Sequence, residues 1–409
     1  MDFKTNTKRY KCDMRILSPI HIGSGKNYTQ SELVPCKDGN NKISRCRINI
    51  EKYLSNFPEK FQDTFIERVL TPTSQKKGFG EEYEFQNLLK KFDKEFNKNS
   101  KITKFKRYYL ETDLDGINDN IKKIPTRIDE HIKTFDEFFV PGSSVKGSIK
   151  AAILHKAITD SILKKEITMN DNKKSILDIS KLLDGFFSYS VAKNNNSYYN
   201  ISRFLHVSDS TTIKKPKLYN ITKLSVSKDK NPKSRNNNTN YLKTGVDVDL
   251  ETIPAKNILY FYISTNYDSE VYKKLSIDSK KELISIETIK SSIYEFSKDL
   301  IDTERHILKY DNDELNKLNN VDISQLKSFY SEIEKKNNEE SPLLKIGSGS
   351  GFMATTLAMR IKKTDKNLFK EIVKKAVKEY DENFPKSRSI VTNLNMPLGW
   401  VKLKFEKVN

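Results

Sequence analysis

The chain has 409 residues and carries 73 Lys and Arg against 54 Asp and Glu, a formal net charge of +19. That balance points to a polyanionic partner, nucleic acid before membrane, since no basic helix with a wholly apolar face stands out. With 36% hydrophobic and 10% aromatic residues the chain is a folded protein rather than a basic tail, and it is long enough for two domains.

Met1–Cys12 is polar and shows no secretory signature, and apolar runs such as Ile258–Ile263 are strand-length, too short to span a bilayer. Three cysteines (Cys12, Cys36 and Cys46) form no CxxC pair, and their odd count suits reduced thiols and a cytoplasmic location. Five scattered histidines make no HxxxH or HExxH, so neither a metal nor a cofactor is expected.

In chain order, Arg9–Ile22 reads as a strand with Cys12, Met14 and Ile16 inward, running into a glycine turn. In that turn Gly23 and Gly25 permit positive φ or close backbone approach, beside Ser24. His21 and Lys26 give the turn a basic end that suits an anion, although a lone histidine at a strand edge is more often structural. Lys42–Ile50 is a second strand. From Glu51 to Asn97 the pattern turns helical, with Phe57, Phe61, Phe65 and Val69 on one face, and is read as an insertion. Phe105–Leu110 is a further strand. Asp113, Asp115 and Asp119 resemble a calcium loop, but Ile124 stands where a bidentate Glu is required, so a solvated turn is expected.

Val140–Leu154 (VPGSSVKGSIKAAIL) is the stretch richest in chemistry. Pro141 and Gly142 stop what precedes them, and Ser143 or Ser144 is the expected N-cap of a helix over Ser144–Leu163. Lys146 and Lys150 lie one turn apart on either side of Gly147, and no acidic residue occurs from Phe139 to Thr159. A small-residue turn, free N–H groups, hydroxyls and lysines together make an anion site, most simply for a phosphate. An ordinary capped helix with solvated lysines is the competing reading.

A helix over Ile176–Phe187 and a strand over Ile201–Val207, closed by Asp209, follow. Ile213–Gly245 carries nine Lys or Arg against one Asp and reads as a flexible basic, Asn-rich loop between two strands. Asp247–Ile253 and Asn257–Thr265 are expected to pair around Pro254. Helices are predicted near Lys280–Lys298 and Ile323–Lys335. Gly347, Ser348, Gly349, Ser350 and Gly351 form a second glycine turn, followed by a helix through Met353, Leu357 and Ile361. It lacks the Lys-Ser/Thr pair of a Walker loop, so only a general phosphate cradle is suggested. An amphipathic helix over Asp365–Phe384 and a strand over Val401–Phe405 end the chain.

Four segments, in this order, resemble one known family: Ile16–Gly25 (ILSPIHIGSG), Val140–Lys150 (VPGSSVKGSIK), the Gly347–Phe352 turn and Leu398–Leu403 (LGWVKL). The order is similar to the RAMP superfamily of CRISPR-associated proteins, and more narrowly to the fifth Csm subunit of type III-A effector complexes. The resemblance implies an α+β chain of two fused ferredoxin-like, RRM-related domains, taken here as 1–210 and 211–409, with antiparallel sheets and helices on one face. It implies a non-catalytic subunit at the 3′ portion of the guide RNA (crRNA), in contact with the repeated backbone subunit and with the small subunit. Maturation of the guide 3′ end would then fall to recruited host nucleases. By motif, the RNA-contacting residues would be His21, Gly23, Ser24, Gly25 and Lys26 in the first turn. Ser143, Ser144, Lys146, Gly147 and Lys150 would serve in the second segment, and Gly347, Ser348, Gly349, Ser350 and Gly351 in the third. A guide-holding subunit accepts many spacer sequences, which demands backbone rather than base recognition. The rival is a metal-independent endoribonuclease with His21 as general acid/base, for which the sequence identifies no Tyr or Lys partner.

Overall fold

Alternation of apolar and polar residues along the first strand sets the architecture. In the computed structural model, which describes residues 7–28, 32–37, 43–55, 59, 62–63, 102–112, 127–159, 188–190, 198–229, 239–266, 278–376 and 383–408, the strands run in order as follows. They are β1 (Thr7–Ile16), β2 (Gly23–Tyr28), β3 (Leu33–Lys37), β4 (Ile43–Ile48), β5 (Lys106–Thr112), β6 (Ile128–His131), β7 (Lys133–Thr134), β8 (Glu137–Phe138) and β9 (Ser188–Ser190). Then come β10 (Tyr198–Asn200), β11 (Leu205–Val207), β12 (Lys217–Lys228), β13 (Asn240–Thr252), β14 (Ile258–Asn266), β15 (Leu343–Lys345), β16 (Ser387–Val391), β17 (Met396–Pro397) and β18 (Trp400–Val408).

One sheet is five-stranded in the order β11-β14-β1-β18-β15, antiparallel throughout. Tyr10, Cys12, Met14 and Ile16 of β1 point to one side with Leu259, Phe261 and Ile263 of β14 and Val401 and Leu403 of β18, and all are buried. The helices Gly142–Ala157 and Ile286–Arg305 pack against each other and share that core. Ile286–Arg305 buries Ile289, Ile293, Phe296 and Leu300, an i, i+3/i+4 stripe, and starts at Ser285, whose hydroxyl accepts from the Thr288 N–H at 3.1 Å. The second sheet runs β2-β6-β13-β12-β5-β4-β3, with β16 joining β12 to β17. Its β5–β12 and β6–β13 pairings are parallel and the rest antiparallel.

The α+β class agrees with the sequence reading. The boundary at residue 210 does not coincide with the sheets. The five-stranded sheet takes β1 and β11 from one side of it and β14, β15 and β18 from the other, and the larger sheet is likewise interleaved. The terminal strand must return to β1, because only there does the inner row of Val401 and Leu403 find its apolar partners.

Several local expectations are corrected. Most of Ile213–Gly245 is a long hairpin rather than a flexible loop, since Leu218, Tyr219, Ile221, Leu224, Val226 and Leu242 bury themselves across β12 and β13. β13 and β14 do not pair with each other; the chain changes sheet at Pro254. The helix expected after the second glycine turn is two short helices, Gly351–Thr355 and Ala358–Thr364, because the Thr356 hydroxyl accepts from the Ala358 N–H at 3.1 Å and restarts it. Ile201–Phe204 is a 3-10 turn before the short β11. Cys46, buried in β4, is disulfide-bonded, which overturns the expectation of reduced thiols there, while Cys12 is a free buried thiol. Most of the helical insertion, the Asp113–Asp119 run, the Ile176–Phe187 helix and the Asn-rich centre at 230–238 lie outside the described residues. Among the described residues no helix is long and apolar enough to cross a membrane.

Candidate nucleic-acid interface

β1 ends in a turn that three other parts of the chain grip. The Leu17 and Ser18 N–H groups donate to the Trp400 carbonyl at 2.9 and 3.1 Å, and the Trp400 N–H donates to the Ser18 hydroxyl at 3.0 Å. The Gly399 N–H donates to the Pro19 carbonyl, and the Ile346 N–H to the Gly399 carbonyl, each at 2.9 Å. The Ser348 N–H donates to the His21 carbonyl at 2.8 Å. The first turn, the late glycine turn and the terminal Leu-Gly-Trp therefore form one knot. Two of its glycines are obligatory. Gly347 has φ +75° and a Cβ there would lie 2.4 Å from the His21 carbonyl oxygen; Gly399 has φ +88° and a Cβ would lie 2.3 Å from that of Ile346. The fourth segment joins by packing, the helix Gly142–Ala157 against Gly351–Thr355.

The N-terminus of Gly142–Ala157 differs from expectation. Pro141 is the N-cap residue and supplies no side-chain bond; Ser143 and Ser144 already lie inside the helix. Gly142 sits so close to the Val207 and Ser208 carbonyls that a Cβ would approach them at 2.2 and 2.6 Å. Its N–H donates to the Asp209 carboxylate at 2.7 Å. The anion that this terminus calls for is thus provided by the chain itself, 67 residues away. Ser143 and Gly147 remain exposed, Ser144, Lys146 and Lys150 half-buried. Among the described residues no carboxylate pairs with Lys146; partial burial, then the charge of Lys150, lowers its pKa.

His21 is buried at 3% exposure, and a backbone bridge from Ile20 to Ile253 carries it to Glu251. Its Nδ1 lies 2.7 Å from the Glu251 carbonyl oxygen and donates there, and burial lowers its pKa. His131, 5.8 Å away between ring centroids, accepts from the Ile22 N–H at its Nδ1 (3.0 Å) and donates from Nε2 to the Phe139 carbonyl (3.0 Å). That tautomer is neutral, and burial holds its pKa down to about 3. The fully buried Glu251 carboxylate accepts from the Tyr28 hydroxyl (2.6 Å), the Tyr108 hydroxyl (2.7 Å), the His131 N–H (3.1 Å) and the Lys133 ammonium (2.9 Å). Four donors are what keep a buried carboxylate tolerable. His21 is therefore a support for the turns, not a surface contact. Beyond it, Gly23, Gly25 and Lys26 are exposed and Ser24 half-buried, its hydroxyl accepting from the Lys26 N–H at 3.2 Å.

The late glycine turn opens onto a cleft of about 220 Å³, lined by Gly349, Ser350, Gly351, Lys223, Glu304 and Arg388 among others. Ser348 and Gly351 are exposed, Gly347 and Gly349 half-buried and Ser350 buried. Arg388 is only 7% exposed. Its Nη atoms donate to the carbonyls of Pro385, Ser387 and Thr303 at 2.9, 3.0 and 2.8 Å, while Nε makes no hydrogen bond and lies 3.8 Å from Glu304. The Glu304 carboxylate is already engaged by the Lys345 ammonium and, at 3.2 Å, the Tyr330 hydroxyl. Positive groups crowd the same region. Burial first, then the charges of Arg388, Lys309 and Lys366, lower the pKa of Lys362. Burial, then Lys309, Lys362 and Arg388, lower that of His306, whose Nε2 accepts from the Lys309 ammonium at 2.9 Å. At the glycine wall itself the lining charges are Lys223 and Arg388 with Glu304.

The sequence reading named the glycines of this cleft but not Lys223 or Arg388. These come from two strands, β12 and β16, and no local pattern marks them.

A sequence model of the RAMP superfamily matches residues 13–384. The chain belongs to the RAMP superfamily. Among curated relatives it is similar to the CRISPR system Cms protein Csm5 of Methanocaldococcus jannaschii, 22% identical over 418 residues, covering 97% of this chain and 88% of the relative. It shares its fold with a chain of a Csm–crRNA–target RNA ternary complex of a type III-A CRISPR-Cas system, solved by cryo-EM, at TM-score 0.64 and 19% identity over 97% of this chain and 100% of that one. The crystal structure of T. onnurineus Csm5 is similar at TM-score 0.57 and 17% identity, over 95% and 99% of the two chains. The RAMP match includes the first turn, the Lys146 helix and the late glycine turn, and stops short of Arg388 and Trp400.

Two measurements check this geometry. Gly347→Ala should lower the unfolding free energy by more than ~2 kcal/mol in urea, and Gly351→Ala, whose φ is +71° but whose Cβ would meet open space, by only about 1–2 kcal/mol. Equal losses would show that the contact to His21 is not limiting. Histidine burial also sets a pH dependence. Above ~6.5 both the folded and unfolded chains hold these rings neutral. Below it the unfolded chain takes up protons that His131 refuses down to about pH 3. Stability therefore falls as the pH drops from ~6 to ~4, by about 1.4 kcal/mol per pH unit from His131. His131→Asn, compared with the parent by urea unfolding across that range, should show a shallower fall.

Proposed function

We propose that this RAMP protein is a non-catalytic RNA-binding subunit of a type III-A CRISPR effector complex. In this reading it caps the backbone filament at the guide RNA 3′ end and supports maturation of that end in antiviral defence. The observation that carries the reading is the meeting of the four motif segments beside a cleft walled by glycine backbone with the exposed Lys223 at its edge. Such a surface contacts phosphates and cannot read bases, which is what holding guides of many sequences requires. The Lys146/Lys150 face, the exposed Gly23–Lys26 turn and the Ser348–Gly351 turn with Lys223 are the contacts we assign to the guide or to the adjoining backbone subunit. The likeness to Csm5 and to a chain of a Csm–crRNA complex supports crRNA and other Csm subunits as partners, among which we assign the repeated backbone subunit and the small subunit. Host trimming nucleases are further partners in this scheme, and its setting is the cytoplasm.

The endoribonuclease alternative finds no favourable geometry. His21 is buried with Nδ1 committed to a carbonyl, and the nearby tyrosine hydroxyls of Tyr28 and Tyr108 are bound to Glu251. Their pKa values are raised by burial and then by that carboxylate, so neither is poised to give up its proton.

The test is co-purification of the tagged chain with the complex subunits and guide RNA. The parent should bring down short guides with a ladder of backbone subunits. Lys146→Glu, Lys150→Glu and Lys223→Glu combined should reduce guide RNA per complex by about tenfold at physiological salt. Unchanged guide occupancy would remove the phosphate role, and absence of backbone subunits from the parent pull-down would remove the capping role.

A further inference from the structure

One face of the five-stranded sheet is buried in the core, and the other carries charged and aromatic side chains. The opposite side chains form four rows across β14, β1 and β18. Ile258 stands beside Arg15 and Lys402, and Tyr260 beside Asp13 and Lys404. Tyr262 stands beside Lys11 and Glu406, and Ser264 beside Arg9 and Val408. Arg9, Arg15, Tyr260 and Lys404 are exposed, while Lys11, Tyr262 and Lys402 are half-buried. Tyr260 is 38% exposed and Ile258 42%. On this face five cations (Arg9, Lys11, Arg15, Lys402 and Lys404) stand against two acids, Asp13 and Glu406. Among the described residues none of the five is held in an ion pair. Instead the Arg9 guanidinium lies 4.1 Å over the Tyr262 ring and the Lys11 ammonium 4.4 Å over that of Tyr260.

This composition selects its occupant. A protein partner favours an apolar centre with charges at the rim. Here the central strand carries Arg9, Lys11 and Arg15, and the apolar Ile258 and Val408 stand in the outermost rows. A duplex keeps its bases out of reach of flat rings, whereas splayed single-stranded bases stack on tyrosine and on guanidinium planes. Tyr260 and Tyr262 are two positions apart on one strand, about 7 Å, so successive bases each find a ring. We propose that this outer face is a second nucleic-acid surface, one that binds single-stranded RNA by stacking bases on Tyr260 and Tyr262 and by neutralising phosphates with Arg15, Lys402 and Lys404. It is independent of the guide-binding cleft, which lies with the glycine turns.

The test uses the full chain and a fluorescein-labelled 20-nucleotide poly(U), with binding read by anisotropy over a salt series. Tyr260→Ala with Tyr262→Ala should weaken binding by about tenfold or more with an unchanged melting temperature. Arg15→Gln with Lys404→Gln should reduce the slope of log K against log salt by about 1.4, the value for two single-strand phosphate contacts. With 4-thiouridine in the probe, crosslinks should fall on β1 and β14. If both double variants bind poly(U) like the parent with the parent slope, the proposal is overturned. If binding disappears only with the Lys146/Lys150/Lys223 variant, the cleft alone holds RNA, and this proposal fails while the guide reading stands. If the sheet variants keep RNA but lose backbone subunits, the face is a protein contact and the proposal fails.

Discussion

Close approach of backbone to backbone at Gly347 and Gly399 is the constraint from which the rest follows. At both, a side chain would drive a Cβ into a carbonyl at under 2.5 Å. Only with hydrogen there can the Ser348 N–H reach the His21 carbonyl and the Ile346 N–H reach that of Gly399. Those bonds fix the late glycine turn against the end of β1. They also seat the buried Trp400 at the start of β18, so the pairing of first and last strands and the shape of the cleft are set by the same contacts. The glycines act less as flexible joints than as the places where the chain is thinnest.

A second buried device holds the other side of the knot. Glu251 gathers Tyr28, Tyr108, Lys133 and the His131 backbone, while its carbonyl holds His21. The interaction is costly to assemble, because each partner is removed from water, and breaking it would leave a charge unpaired in the core. Its effect is to fix the direction in which the chain leaves His21. Gly23–Lys26 then projects outward as exposed backbone ending in a lysine. The same network commits one ring nitrogen of His21 to the Glu251 carbonyl and one of His131 to the Phe139 carbonyl.

How much of this could be read from the residues follows from where the information lies. β1, β18, the helix at Gly142 and the helix beginning near Ile323 were legible because each carries its own period, and the family motifs were legible because they are contiguous. The hairpin β12–β13 was obscured. Its buried residues lie on both faces and a bulge between Thr222 and Leu224 breaks their period, while its many lysines and asparagines give it the composition of a loop. The cap of Gly142 was invisible for a different reason. A helix lacking a local acid looks open to a phosphate, and nothing nearby announces that Asp209 fills that place. Arg388 and Lys223 belong to the same class: they are made neighbours by the β12–β16 pairing, a tertiary fact.

The distribution of charge decides what kind of binder results. A net charge of +19 alone favours any polyanion, and lysine-rich composition can produce it without purpose. What gives it direction is the unequal treatment of cations. Lys133 and Lys345 are buried against carboxylates and serve the fold. For Lys362 and His306, burial first and then the charges of Arg388 and Lys309 disfavour the protonated forms. For Lys402 on the sheet, burial first and then the charges of Arg15 and Lys336 act in the same direction. Under the proposed RNA-binding role, a phosphate at either place would offset positive charge that the folded chain holds together. Phosphate is common to every nucleotide and stacking accepts any base, so under that proposal sequence tolerance needs no base-edge contacts.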